Sequence, residues 1–240
     1  MDQGMLGDVI DGDTIRFLRV LPHPVERVWR AISDETELRA WMRYPVSFEP
    51  RVGGTVRFFG NGDAAIEGRV FVFDAPRALA FSFFSVKPED AERIEKEWTV
   101  RWDLAPAPEG CPLTLTHRRL GGAHLWGLGE GWHGFLSQLA AYLDGTLAEL
   151  VRAYEARGGE SDTSLLTAYR AHASRQLPAL ADALATDAES AVAEGLSGDA
   201  AAAIARLRFV AGQMYEIARQ DGPRPDYAPA PPPPEVPVSV

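Results

Sequence analysis

Between residues 53 and 120 the chain carries five short segments rich in valine, threonine and aromatic residues. Glycine, proline, asparagine or aspartate separates each segment from the next, which is typical of a meandering antiparallel sheet. An earlier stretch, TIRFLRV at residues 14–20, alternates apolar and polar positions and predicts a further half-buried strand. The later segments are GGTVRFFG, IEGRVFVFD, ALAFSFF, EWTVRWDLAP and CPLTLTHRRL. The pattern therefore predicts a fold built around an antiparallel sheet.

Helical periodicity appears on both sides of these strand segments. From Pro24 the apolar positions follow helical spacing to Ile32, and ELRAWM at residues 37–42 predicts a second short helix. After the sheet, an apolar stripe at steps of three and four predicts one long helix over residues 131–154. Gly145 interrupts this stripe at a cost of about 1 kcal/mol relative to alanine, which allows a bend or a break there.

The composition changes after the stretch ARGGES, which is the best candidate boundary. We predict a first domain over residues 1–157, an alanine-rich helical extension over 158–220 and an extended or disordered proline-rich tail over 221–240. Pro178 predicts a kink or a restart in the extension. The last helix is expected to begin near Ser197, with Ile204, Leu207, Ala211, Met214 and Ala218 on its packing side.

Composition and charge narrow the class of protein. A net charge of -10 over 240 residues disfavours nucleic acid as a partner, because nucleic acid is itself a polyanion. Cys111 is the only cysteine, so neither an internal disulfide nor a cysteine zinc site is available. No apolar run approaches the roughly 18–20 residues that cross a bilayer, and the N-terminus carries acids where a signal peptide carries basic residues. These features predict a cytoplasmic protein without membrane insertion.

Several stretches resemble the START-like (SRPBCC) superfamily and, within it, the domain named after the activator of Hsp90 ATPase. The resemblance spans roughly residues 14–150 and rests on the order and spacing of its parts. Those parts are HPVERVWRAISDETELRAWM, RVGGTVRF, EGRVFVFDAPRALAFSF, LTLTH and GWHGFLSQLAAYLDG. It implies an α+β helix-grip fold, in which a curved antiparallel sheet wraps a long C-terminal helix around a cavity. The extension and the tail are not part of this pattern.

A cavity of this kind is predicted to be mostly aromatic. Small-molecule sites are lined chiefly by apolar side chains with a few polar groups. The alternative is that these side chains simply fill the core between sheet and helix. The candidate cavity residues are Trp41, Phe58, Trp98, Trp102, His117, Trp126, Trp132, Phe135 and Leu136.

His117 is the one candidate for acid–base chemistry in this cavity. Alternation places it on the strand face of Leu113 and Leu115, where an imidazole can orient a ligand or move a proton. The alternative is a histidine that is hydrogen-bonded within the core. Cys111 shares this face, but six residues of strand put it about 20 Å away, too far for a thiolate and its base.

Other cofactors gain no support from the sequence. His124 and His133 stand beside no acid or histidine at a metal-binding spacing, and no glycine-rich turn has the phosphate-binding pattern. The leading hypothesis is non-catalytic binding of an apolar small molecule, without a cofactor. The alternatives are a cyclase or dehydratase that uses His117, and a protein-interaction module. The extension is expected to pack on its own chain, to cover the mouth of the cavity, or to form a homodimer or bind a protein partner through residues 161–220.

Overall fold

A computed structural model of the protein describes residues 6–10, 13–43, 46–60, 63–83, 98–119, 125–157 and 163–220. Within these ranges eight strands form one curved, unclosed antiparallel sheet in the order β1-β2-β8-β7-β6-β5-β4-β3. The strands are β1 (Asp8–Ile10), β2 (Thr14–Leu21), β3 (Val46–Phe48), β4 (Thr55–Gly60), β5 (Asp63–Asp74), β6 (Ala78–Ser82), β7 (Trp98–Leu104) and β8 (Cys111–Arg119). The helices are α1 (Val25–Ser33), α2 (Glu35–Met42), α3 (Leu125–Leu143), α4 (Leu147–Glu155), α5 (Thr163–Ala193) and α6 (Ser197–Gln220). The predicted α+β helix-grip fold is confirmed.

The six strands predicted from alternation are all present in the sheet as β2 and β4 to β8. The sequence analysis did not predict β1 or β3, each of which has three residues. Three residues are too few for alternation to stand out from its surroundings. Both missed strands lie at the edges of the sheet.

The two short helices after β2 have clear local causes. Proline at position 24 precedes the first residue of α1, where its missing N–H costs no helical hydrogen bond. The side chain of Asp34 accepts a hydrogen bond from the backbone N–H of Glu37 at 3.0 Å and so caps α2. The left-handed backbone of Arg43, with φ of 59°, ends α2. These helices cover one end of the concave face of the sheet.

The prediction of one long helix over residues 131–154 is wrong. The apolar stripe is divided between α3, which begins at Leu125, and α4, which begins at Leu147. Gly145 lies between them with φ of +74°, and the N–H of Thr146 donates to the carbonyl of Ala141 at 2.7 Å. A glycine in the left-handed conformation is a common helix end. Of the two helices that share the stripe, α3 lies in the concave face of the sheet, whereas α4 has no buried residue.

We expect Gly145→Ala to lower the free energy of unfolding by about 1 kcal/mol, because a Cβ atom disfavours the left-handed backbone. A Cβ at this position would meet no atom within 4 Å, so the cost is conformational rather than steric. Chemical denaturation measures it. Gly131→Ala is the control, since Gly131 lies within α3 and also has open space around its Cβ position. Equal losses in the two variants would contradict this account of the helix break.

The main core lies between the concave face of the sheet and α3. Side chains of β2, β7 and β8 alternate inward, and α3 presents Trp132, Leu136 and Leu139 to them. Burial of each large side chain contributes on the order of 2 kcal/mol. The sheet supplies Ile15, Phe17, Val100, Trp102, Leu104, Leu113 and Leu115 to this core.

The extension packs against its own chain. Helix α5 lies along α6, α3 and the edge strand β1, and Val9 of β1 shares a second core with Leu177 and Val210.

Two predictions for the extension need correction. Of the two outcomes predicted at Pro178, the restart is wrong, because α5 continues through this residue. The packing side predicted for the last helix also needs correction. Ile204 is 37% exposed and Ala211 is exposed, whereas Ala203 and Val210 are buried.

Candidate functional site

The candidate site begins with two neighbouring strands whose inward side chains are fixed by register. Trp102 of β7 lies opposite Leu115 of β8, and Val100 lies opposite His117. Inward and outward positions alternate along each strand, so His117 points to the same face as Leu113 and Leu115. His117 is 1% exposed, which places its imidazole inside the core.

His117 is held by a hydrogen bond from the facing helix. The indole Nε1–H of Trp132 donates to Nδ1 of His117 at 2.7 Å, and the two rings meet edge to face. An indole nitrogen can only donate, so Nδ1 must be an unprotonated acceptor. The proton of the neutral imidazole is therefore on Nε2. This bond joins the sheet to α3 inside the core.

An aromatic cluster surrounds this pair. Phe83 lies edge-on to His117, with ring centroids 5.2 Å apart, and its centroid is 5.6 Å from that of Trp132. Trp102 and Phe135 each contact Trp132 edge to face at 5.8 Å. Such tilted contacts add about 0.5–1.5 kcal/mol per pair beyond burial. Contacts with Phe83, Trp102 and Phe135 therefore restrict the rotation of the Trp132 side chain.

A small cavity adjoins the cluster. Its volume is about 10 Å³, which is roughly what one water molecule needs. Small-molecule sites commonly have volumes of about 300–1,000 Å³. Among the described residues, the side chains around this cavity therefore leave room for little more than one water molecule. The cavity is lined by Ile32, Leu38, Met42, Phe48, Val56, Phe58, Phe81, Trp102 and Trp132.

Three of the candidate residues from the sequence line this cavity, namely Phe58, Trp102 and Trp132. His117 and Phe135 contact Trp132 from the side, and Leu136 belongs to the same core.

Trp41 is placed differently. It is fully buried, but its indole N–H donates to the carbonyl of Ala31 at 2.8 Å, which ties α2 to α1, and it does not line the cavity. The side chains of Trp98 and Trp126 lie outside the described residues.

Six lining residues were missed as site candidates. Val56 follows from the alternation of β4, and Leu38 and Met42 share the apolar side of α2 that the sequence already displays. The alternation and the helical periodicity therefore predict that these residues are buried, but burial alone does not show that a residue lines a cavity. The other three missed residues are Ile32, Phe48 and Phe81.

A family model described as Activator of Hsp90 ATPase homolog 1-like protein matches residues 22–144, just over half of the chain. The chain belongs to this family. The match begins directly after β2 and ends directly after α3, so it includes all nine lining residues of the cavity. Helices α5 and α6 lie outside it. Family membership supports a ligand-binding or co-chaperone-like module in general terms.

Three solved structures are similar to this family member. Protein MLL2253 from Mesorhizobium loti is 22% identical, with 55% of this chain and 98% of that chain covered and a TM-score of 0.47. CalU16 from Micromonospora echinospora is 23% identical, with 68% and 96% covered and a TM-score of 0.45. The Aha1 dimer from Colwellia psychrerythraea is 17% identical, with 55% and 97% covered and a TM-score of 0.48. No curated protein matches the chain.

The outer face of the sheet carries ion pairs. Arg101 and Asp103, two residues apart on β7, form an exposed pair with Nε to Oδ1 at 2.9 Å. The hydrogen bond to Asp103 raises the pKa of Arg101. Glu67 bonds across the sheet to Arg57 of β4 at 3.0 Å. Pairs this exposed contribute at most about 1 kcal/mol, so this face adds little to the candidate site.

A larger groove of about 430 Å³ opens at the other end of β8. It is lined by residues 22–26 and 106–110, which include four prolines, Glu26 and Glu109. Cys111 follows this groove and is fully buried, and burial raises the pKa of its thiol. Six residues of strand, about 20 Å, separate Cys111 from His117. The groove and the aromatic cavity are therefore separate features.

Two further properties concern the described part of the chain. None of its helices is long and apolar enough to pass through a bilayer. Its His, Cys, Asp and Glu side chains form no group of three or more that could hold a metal ion. His133, which the sequence placed beside no metal-binding partner, is buried against the extension and contacts Tyr169.

Proposed function

We propose that the protein binds an apolar small molecule between the sheet and α3 without catalysing a reaction. The observation that carries this proposal is the lining of the internal cavity, where nine apolar or aromatic side chains from seven strands and helices converge. Apolar lining with one or two fixed polar groups is the usual composition of a small-molecule site. The family match over the same residues is consistent with a ligand-binding module.

The fixed polar feature of this site is the pair formed by Trp132 and His117. Because Trp132 donates to Nδ1, the imidazole keeps one orientation and its ring proton lies on Nε2. The pair places one fixed polar contact at the edge of an otherwise apolar site, so a ligand with an apolar body and a single polar group suits this arrangement.

A ligand needs more room than about 10 Å³. Met42 lines the cavity, and its unbranched thioether side chain adapts easily to a changed shape. Trp132 occupies the centre of the aromatic cluster, so its rotation, or an outward movement of α3, would release the largest volume. We therefore expect binding to be coupled to movement of α3 or of side chains on it.

Native mass spectrometry of the full chain, purified without detergent, tests the proposal directly. We expect a small apolar molecule to be released on denaturation, and we expect Trp102→Ala and Trp132→Ala to retain less of it, because both indoles line the cavity. Trp29→Ala is the matched control. Trp29 is partly buried and packs edge-on to Phe73 at 5.2 Å, and neither of these two residues lines the cavity.

Unchanged retention in both cavity variants would contradict the placement of the ligand. A released molecule that the protein converts to a product on incubation would favour the second candidate, a cyclase or dehydratase that uses His117. That candidate is supported by the burial of His117 and its single fixed tautomer. An empty protein that carries a second polypeptide, or a second copy of itself, would favour a protein-interaction module.

One observation supports such an interaction role. The extension exposes several large apolar side chains, and exposed apolar patches often mark interaction sites. The solved Aha1 from Colwellia psychrerythraea is a dimer, and the same native mass spectrum reports whether this chain is one too. The exposed side chains are Val192, Leu196, Ile204 and Tyr215.

A further inference from the structure

Tyr169 of α5 closes the gap between the sheet edge and α3. It is 2% exposed, although it belongs to the extension, and its ring lies 6.5 Å from that of Phe17 in β2. On the other side the ring packs on Gly129 of α3, where a Cβ atom would lie only 2.5 Å from the ring. Because Gly129 has no side chain, the ring of Tyr169 fits between β2 and α3.

The hydroxyl of Tyr169 forms hydrogen bonds with the segment before β1 and with α3. The backbone N–H of Gly7, directly before β1, donates to this oxygen at 3.1 Å, and the oxygen lies 3.1 Å from Nδ1 of His133 in α3. Arg19, which can only donate, also approaches this Nδ1, at 3.5 Å, so the nitrogen is the acceptor. The tyrosine hydroxyl thus donates a hydrogen bond to Nδ1 of His133. Burial raises the pKa of Tyr169 to about 12, so this proton is retained near neutral pH.

Other side chains of α5 hold the edge strand. The backbone N–H of Val9 donates to Oε1 of Gln176 at 3.0 Å, and Nε2 of Gln176 donates to Asp8 at 3.1 Å. His172 also lies 3.1 Å from the same carboxylate oxygen of Asp8. Covering an edge strand in this way protects its unpaired main-chain groups. Helix α5 is therefore attached to the sheet at several points, and Tyr169 attaches it to α3 through His133 and Gly129.

Consecutive residues of α3 face opposite sides. Trp132 points into the aromatic cluster and bonds to His117, whereas His133 points to Tyr169 of the extension. An outward movement of α3 would enlarge the cavity, but it would also separate Gly129 and His133 from the seated tyrosine, which is bonded to Gly7 at the edge of the sheet. The extension thus ties α3 to the edge of the sheet.

We infer that α5 restrains α3 from outside and holds the cavity closed, so that release of Tyr169 is the step that opens it. The part of this inference that concerns ligand entry rests on the proposed function, and the restraint itself does not. It predicts that weakening the contact of Tyr169 loosens α3 while the rest of the sheet keeps its stability.

Hydrogen exchange of the full-length protein, followed by mass spectrometry, measures this restraint. We expect backbone amides at residues 129–139 of α3 to exchange about tenfold faster in Tyr169→Ala and Gly129→Ala than in the unaltered protein. The first variant removes the ring, and the second displaces it by the added Cβ atom. Tyr215→Ala is the matched control, because Tyr215 lies in the same extension but is 61% exposed. We expect it to change nothing in α3.

The dye 8-anilinonaphthalene-1-sulfonate, added to the same variants, reports access to the cavity. Stronger dye fluorescence together with faster exchange in α3 supports both the restraint and the ligand site. Faster exchange without dye binding supports the restraint and counts against the ligand site. Unchanged exchange in α3 overturns the restraint, and so does an equal acceleration of every amide, which indicates global destabilisation. Tyr169→Phe keeps the ring and loses only the hydroxyl, so it continues the test if Tyr169→Ala does not fold.

Discussion

Replacing Trp41 by alanine is expected to lower the free energy of unfolding by about 3–5 kcal/mol, the usual cost of removing a fully buried tryptophan. Trp41 has no exposed surface, and its indole N–H donates to the carbonyl of Ala31 at 2.8 Å. The substitution removes that bond and leaves a void between α1 and α2. Because total stabilities are about 5–15 kcal/mol, such a loss takes a large part of the total. Chemical denaturation followed by circular dichroism measures it.

Trp29→Ala is the control for this prediction, because it removes the same side chain from a partly buried position in the neighbouring helix α1. Its main ring contact is the edge-on packing with Phe73 at 5.2 Å, and such a pair contributes about 0.5–1.5 kcal/mol beyond its burial. We expect its loss to be less than half of that for Trp41→Ala. A loss as large as that of Trp41→Ala would mean that burial and the bond to Ala31 do not set the importance of Trp41.

Local alternation was sufficient to predict which strand residues face the core. In β8 the pattern placed Leu113, Leu115 and His117 on one face, and the structure buries all three. This prediction succeeds because side chains alternate between the two faces of a strand. Once one apolar residue is assigned to the core, the faces of the other residues in the strand follow. A strand of three residues, such as β1 or β3, does not contain enough positions for this argument.

Membership of the cavity was harder to predict, because the lining comes from elements that are distant in sequence. Trp41 and Met42 are adjacent in α2 and both buried, yet Met42 lines the cavity while Trp41 bonds to α1. One residue along a helix changes the direction of a side chain by about 100°. The identity of a side chain does not reveal which of two buried directions it takes. The sequence analysis therefore chose the aromatic Trp41 as a cavity residue and omitted Met42, which does line the cavity.

No local sequence pattern predicts where the extension packs on the first domain. The bond between Gly7 and Tyr169 joins residues 162 positions apart, and that between Val9 and Gln176 joins residues 167 positions apart. Periodicity shows only that α5 has an apolar side, which suits its own chain and a second copy equally well. The small size of Gly129 makes room for the tyrosine ring. In the sequence, however, this residue cannot be distinguished from any other glycine that weakens a helix.

We expect Trp132→Phe to lower the free energy of unfolding by about 2–4 kcal/mol. The phenyl ring keeps most of the apolar contact but cannot donate a hydrogen bond, so Nδ1 of His117 loses the donor that lies 2.7 Å away. Leaving a buried acceptor without its donor costs about 1–3 kcal/mol, and the lost indole atoms add about 1 kcal/mol. His117→Leu, which removes the acceptor instead, should cost a similar amount, because Trp132 then keeps a buried N–H without an acceptor.

The double variant Trp132→Phe with His117→Leu separates the bond from the packing. Its loss should fall short of the sum of the two single losses by about 1–2 kcal/mol, because the polar groups are then removed together. Urea denaturation of the four proteins gives this coupling energy. Losses that add would mean that the 2.7 Å contact contributes no net stability and does not hold the imidazole in place. The cavity would then lack the fixed polar group that the proposed mode of ligand binding requires, whereas a clear coupling energy would show that this group is already oriented before a ligand arrives.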